Sequence, residues 1–141
     1  MLKVLNKKQI EGIVRLKAAL PYLEDKDAAE KCGTWSEMKQ NEKGVYTFPY
    51  IDYEPWVDDI ERALYDYDLT VEGNYFSILE ENGIKTSADI TDYSMLTEEV
   101  ALAVFTRIIR GERFCEGMIQ GTIRDGSLKQ IIERLVVLAG I

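Results

Sequence analysis

The last third of the chain leaves the fewest structural options. Thr97-Glu98-Glu99 sets a capping hydroxyl and two acids ahead of an apolar stretch, and Arg107, Arg110 and Gly111 close it. Acids at the start and cations at the end complement the helix macrodipole, and glycine is a common stop. The interior, 100–109, is apolar on nearly every side, as expected of a helix surrounded by protein. A second helix is expected over 113–124, where Gly117 and Gly121, four apart, suit a close helix crossing. Asp125-Gly126 breaks it. Ser127 and Gln130 then form a capping-box pair for a final helix that turns Ile131, Ile132, Leu135, Leu138 and Ala139 inward. Three helices joined by short turns predict one compact unit over 97–141, packed on 1–96.

Upstream the signals are more local. Asn6 and Gln9 form a capping box for a helix over 7–20, with Ile10, Ile13, Val14, Leu16 and Leu20 as its apolar stripe; Pro21 ends or kinks it. From 24 to 44 acids, alanines and turn formers replace helical spacing. Residues 34–39 and 45–50 read as two short strands around Asn41-Glu42-Lys43-Gly44, with Tyr46, Phe48 and Tyr50 on one face. Pro55 suits the first position of a helix carrying Trp56, Ile60, Ala63, Leu64 and Tyr67 on one side. A shorter helix over 74–81 ends at Asn82-Gly83, and 84–96 is a polar connection with one helical turn. The expected fold is mainly α: five or six helices in a single domain over 1–141, with room for one short β-hairpin near 34–50.

Composition then removes whole classes of chemistry. The chain has 141 residues and no histidine, so no Ser-His-Asp or Cys-His relay and no HExxH metal site can be built. Two cysteines, Cys32 and Cys115, cannot supply a four-ligand zinc site, and free thiols are expected of both. The adjacent acid pairs Asp58-Asp59, Glu80-Glu81 and Glu98-Glu99 diverge on a helix, so neither a metal nor a cofactor is expected. The start, Met1 to Lys8, is too short in its apolar part for a signal peptide, and no apolar run exceeds seven residues. A soluble, cytoplasmic protein with no membrane partner is expected.

The net charge of −8 is unevenly spread. Residues 1–23 carry five basic side chains against one acid, 24–96 carry 18 acids against six bases, and 97–141 carry six of each. So acidic a centre argues against nucleic acid as a partner. Either the basic first helix lies against the acidic middle of its own chain, or the acids form a face for a basic partner.

Three groups of residues invite a functional reading. Nine of the fourteen aromatics fall between 46 and 76, interleaved with acids. Tyr50, Tyr53, Trp56 and Tyr65 are candidates for meeting a protein partner or small ligand; the alternative is that these aromatics fill a core under the hairpin, Tyr53 and Tyr65 being the more exposed. The second group is the turn holding Arg110, Glu112, Arg113, Cys115 and Glu116. It suits a small enzyme or anion-binding site, with arginines clamping a carboxylate or phosphate and Cys115 activated by them. The structural alternative has Arg110 and Arg113 tied through Glu112 and Glu116 to neighbouring helix ends, with Phe114 and Cys115 in the core. A third reading, a helix-turn-helix with Lys129, Gln130 and Arg134 exposed, suffers from the segment's electroneutrality. The leading expectation is a non-enzymatic binding or regulatory module using the acidic, aromatic surface.

The stretch Arg110-Gly111-Glu112-Arg113-Phe114-Cys115-Glu116-Gly117, continuing to Asp125-Gly126-Ser127-Leu128, resembles a small prokaryotic family, domain of unknown function 6508. The resemblance extends to Leu20-Pro21-Tyr22, an isolated Trp35, and Pro49-Tyr50 followed by Tyr53. It implies a prokaryotic protein complete as one small domain, and supplies no catalytic or ligand residue.

Overall fold

Asn6 opens the first helix in the way its sequence predicts. In a computed structural model that describes residues 5–71 and 73–141, its Oδ1 accepts from the Gln9 N–H at 2.8 Å, and Gln9 Oε1 accepts from the Asn6 N–H at 3.0 Å. The expectation about a signal peptide rests largely on residues 1–4 and lies outside the described residues. Helix α1 (Lys7–Lys17) stops short of position 20, and Pro21 sits in the first turn of α2 (Leu20–Leu23), where its missing N–H is no loss. Val14, expected on the buried stripe, is 49% exposed, because α1 turns Gly12, Ile13 and Leu16 inward. With α3 (Ala28–Lys31), the described residues hold eight α-helices instead of five or six. The extra ones are single turns, too short for apolar spacing to show a period.

The hairpin exists, with its regular ladder shifted toward the base. Strand β1 (Gly33–Trp35) pairs antiparallel with β2 (Ile51–Tyr53), Trp35 opposite Ile51. The same register continues outward: the Ser36 N–H donates to the Tyr50 carbonyl and the Thr47 N–H to the Lys39 carbonyl, each at 2.7 Å. Between these points lies Pro49, which has no N–H to donate, so the expected strands 34–39 and 45–50 are interrupted.

Glu54 precedes α4 (Pro55–Asp66), which buries Val57, Ile60, Ala63 and Leu64. A Cβ on Gly12 would stand 2.5 Å from the Tyr67 Cβ, so glycine permits the close approach of α1 to the end of α4. Asn74 caps α5 (Tyr75–Glu81), and two 3-10 turns, Ser87–Asp89 and Tyr93–Met95, replace the single turn expected. Helix α6 (Glu98–Gly111) is the buried centre: Thr97 Oγ1 accepts from the Val100 N–H at 3.3 Å, and every residue from Val100 to Thr106 is buried. It packs against α4, α5, α7 (Met118–Asp125) and α8 (Ser127–Ala139).

Two expectations about this last unit are overturned. Helix α7 begins after Gly117, and Gly121 has nothing within 4 Å of where a Cβ would stand, so this pair is no helix crossing. Ser127 is the first residue of α8, preceded by Gly126 at φ +85°; Asp125 Oδ1 does the capping, accepting from the Ser127 N–H at 2.8 Å and hydroxyl at 2.6 Å. Among the described residues no helix is long and apolar enough to cross a membrane.

Candidate functional site

The turn from α6 to α7 is organised by Glu112. Its Oε1 accepts from the Tyr53 hydroxyl at 2.6 Å and the Ile119 N–H at 2.8 Å, and its Oε2 from the Gly117 N–H at 2.6 Å. The carboxylate therefore occupies the place at the α7 N-terminus where unpaired backbone donors point. Tyr53 Oη also accepts from the Gln120 N–H at 3.2 Å, while Gln120 Oε1 accepts from Trp35 Nε1 at 2.8 Å and Gln120 Nε2 donates to the Ala29 carbonyl at 2.9 Å. Glu116 Oε1 accepts from the Ile51 N–H at 2.9 Å. The Trp35 ring covers Gly117, whose φ of +87° and 2.6 Å clearance admit no side chain. Hairpin base and turn are thus one braced unit. Burial, then the Glu112 carboxylate, hold the Tyr53 hydroxyl protonated well above the usual phenol range.

The arginines do not do what was expected of them. The Arg110 guanidinium lies over the Tyr75 ring at 5.7 Å and that of Arg113 over the Tyr65 ring at 5.6 Å. Neither forms an ion pair among the described residues. The glutamates tie the turn down through backbone N–H groups, which are fixed donors, and leave the cations to the tyrosine faces. Phe114, expected in the core, is 85% exposed, and Cys115 is exposed as well. The tight turn that returns the Phe114 and Cys115 N–H groups to the Gly111 carbonyl carries both residues on its outside. Cys32 is the buried thiol, and burial pushes its pKa up; both cysteines are free.

The aromatic belt divides at the hairpin. Tyr46, Phe48 and Tyr50 are exposed, Phe48 by 83%, so they fill no core. The hairpin meets the helices at its base, through Trp35, Ile51 and Tyr53, and its outer half extends past them. Tyr53, expected among the more exposed, is half-buried with its hydroxyl engaged; Tyr65 is exposed as expected, and Trp56 is half-buried, stacked on Tyr22 at 5.2 Å. The candidates Arg110, Arg113, Glu112 and Tyr65 lie about one turn, Tyr53 and Tyr50 on its hairpin neighbour, and Trp56 apart against α2.

Around this unit the carboxylates crowd. Burial raises the Glu61 pKa, and Asp58, Glu112 and Glu116 raise it further; Asp58 is raised by burial and by Asp52 and Asp59, partly relieved by Arg62. Among the described residues no three Cys, Asp or Glu side chains converge to hold a metal ion.

The concave surfaces lie mostly elsewhere. An open hollow of about 370 Å³ is lined by Thr86, Ser87, Tyr93, Asp125 and Gln130, and another of about 270 Å³ by Tyr93, Gln130, Glu133 and Arg134. They are assembled from the 3-10 segments and α8, which have no shared sequence signal. Arg134, expected free on the last helix, is half-buried and donates twice to the Leu96 carbonyl, at 3.0 and 2.9 Å. A hollow of about 320 Å³ opens on the hairpin between Ser36, Glu37, Lys39, Thr47 and Tyr50.

Fold and site together define a mainly helical protein with one β-hairpin, held at its base by a carboxylate-centred turn and exposing aromatic side chains beyond it. The chain belongs to the Family of unknown function (DUF6508), whose model matches residues 8–140. No curated protein and no solved structure matches it.

Proposed function

We propose that the protein is a non-enzymatic binding module that meets a basic protein partner through the hairpin and the acidic surface at its base. The observation that carries this reading is the exposure of Tyr46, Phe48 and Tyr50 on an arm whose base is braced by two glutamates. Large exposed apolar side chains on a fixed support favour interaction, and the surrounding acids, Asp52, Asp58, Glu61 and Glu116, select for positive charge. Weighing against an enzyme or anion site at the turn, Glu112 is fully engaged by its own chain, and Arg110 and Arg113 lie over rings on different helices. Two free thiols support a cytoplasmic setting.

The test compares the tagged wild-type chain with a Tyr46→Ser, Phe48→Ser, Tyr50→Ser variant, both recovered from the cells of origin at low salt. The expected result is a partner kept by the wild type, released by salt and absent from the variant at unchanged melting temperature. A partner held equally by both proteins would show that this surface is the wrong one.

A further inference from the structure

The two edges of the hairpin are not alike. Backbone hydrogen bonds of 2.7 Å pair Cys32 with Glu54 and Ser36 with Tyr50. In an antiparallel ladder the residues that alternate with these pairs direct their N–H and C=O groups outward: Gly33, Trp35 and, past the last pair, Glu37 on one side, Tyr53, Ile51 and Pro49 on the other. The β2 edge is closed at Ile51 and Pro49. Glu116 takes the Ile51 N–H at 2.9 Å, and Pro49 has none to offer. The β1 edge is open: among the described residues nothing accepts from the Trp35 or Glu37 N–H, and Thr34, Trp35 and Glu37 are all exposed. Native proteins block such edges as a rule, and here one of two has been left unblocked beside Met38 and Tyr50, each more than half exposed.

We propose that the outer edge of β1 accepts an extended, Lys- or Arg-bearing segment of a partner protein as a third strand. Main-chain hydrogen bonds to Trp35 and Glu37 set the register, and alternate side chains of the incoming segment reach the aromatics and acids on the hairpin faces. Charge names the occupant. Glu37 follows the edge strand two residues past Trp35, Asp52 pairs with Thr34 on β2, and Asp58 and Glu116 stand close enough to Glu61 to raise its proton affinity. A second copy of the chain, at net charge −8, brings the same acids to the same edge. The proposal rests on the binding reading above and specifies its mode.

The experiment titrates the full chain with short end-blocked peptides: alternating Lys and Val, alternating Glu and Val, and the Lys–Val peptide N-methylated at its odd or at its even positions. N-methylation removes strand-pairing donors and keeps the charge. Amide hydrogen exchange is followed at Trp35, Glu37 and Ile51. The expected result is binding of the Lys–Val peptide, with exchange at Trp35 and Glu37 slowed and Ile51 unchanged. At least one methylated form binds roughly tenfold more weakly, and the Glu–Val peptide does not bind. Failure of the Lys–Val peptide to bind, or equal affinity for it and both methylated forms, overturns strand addition. So does protection of Trp35 and Glu37 that rises with protein concentration alone, which marks a second copy. These failures leave the surface reading intact as long as the triple hairpin variant still loses its partner; retention of the partner by that variant sinks the surface reading itself.

Discussion

Glu112 joins more of the molecule than any other side chain in the turn, because its two oxygens serve three donors from two separate segments. Truncating it as Glu112→Ala strands the Gly117 and Ile119 N–H groups and the Tyr53 hydroxyl together. The expected cost is roughly 3 kcal/mol, the scale of a half-buried donor set losing a charged acceptor. Glu112→Gln keeps one acceptor oxygen and should cost about half as much. Urea unfolding of the two variants checks this; equal and small losses would mean that water substitutes for the carboxylate. The sequence marks Glu112 as part of an Arg–Glu cluster, and that much is legible. Its partners are not, since Tyr53 lies 59 positions away and the backbone donors it serves carry no signature of their own.

At the scale of elements, glycines separate what spacing suggests from what contact requires. Gly117 and Gly121 look like a crossing point because they stand one helical turn apart, yet Gly121 faces open space and Gly117 lies outside the helix. The close approach is at Gly12, a lone glycine in α1 against Tyr67 and Leu69. Gly121→Ala is therefore expected to stabilise the protein by about 0.5–1 kcal/mol, through the lower entropy of alanine in the unfolded chain. Gly12→Ala should destabilise it by about 1–3 kcal/mol, because α1 and the end of α4 must part to admit a methyl group. Thermal melts of the two single variants decide the matter, and a loss on Gly121→Ala would restore the crossing. Helix ends were far more legible than helix contacts. Asn6 with Gln9, Thr97 and Pro55 act where their chemistry predicts, since a cap is satisfied within a few residues of itself, while at α8 the cap passes from Ser127 to Asp125.

Over the whole molecule the charge distribution is set by packing. The basic α1 does lie on α4, with Lys8 Nζ 2.9 Å from Asp68 Oδ2, but this is an exposed pair worth little. The acids at the hairpin base are left facing one another. For Glu61 the sign of the resulting pH effect follows from its raised pKa. Proton uptake favours the folded state, so the stabilisation is complete below the ordinary carboxylate value and is lost as pH rises through the higher folded one. Glu61→Gln makes that neutral form permanent. Its melting temperature should exceed the wild type's at pH 7 and converge with it near pH 4. A constant difference across the range would assign the gain to packing instead.

By itself the sequence determined what is decided within a turn or two of chain: where α1, α4 and α6 begin, most of the apolar stripe of each, that α6 is surrounded by protein, and that a hairpin turns at Asn41–Gly44. Those features follow from backbone hydrogen bonding and side-chain spacing, which neighbours in sequence settle between themselves. Only the tertiary structure decided which aromatics are buried and which are presented, what the two glutamates of the turn hold, and which edge of the hairpin is closed. Each of these joins residues far apart in the chain, and the free energy that selects among the alternatives exists only once the segments have met.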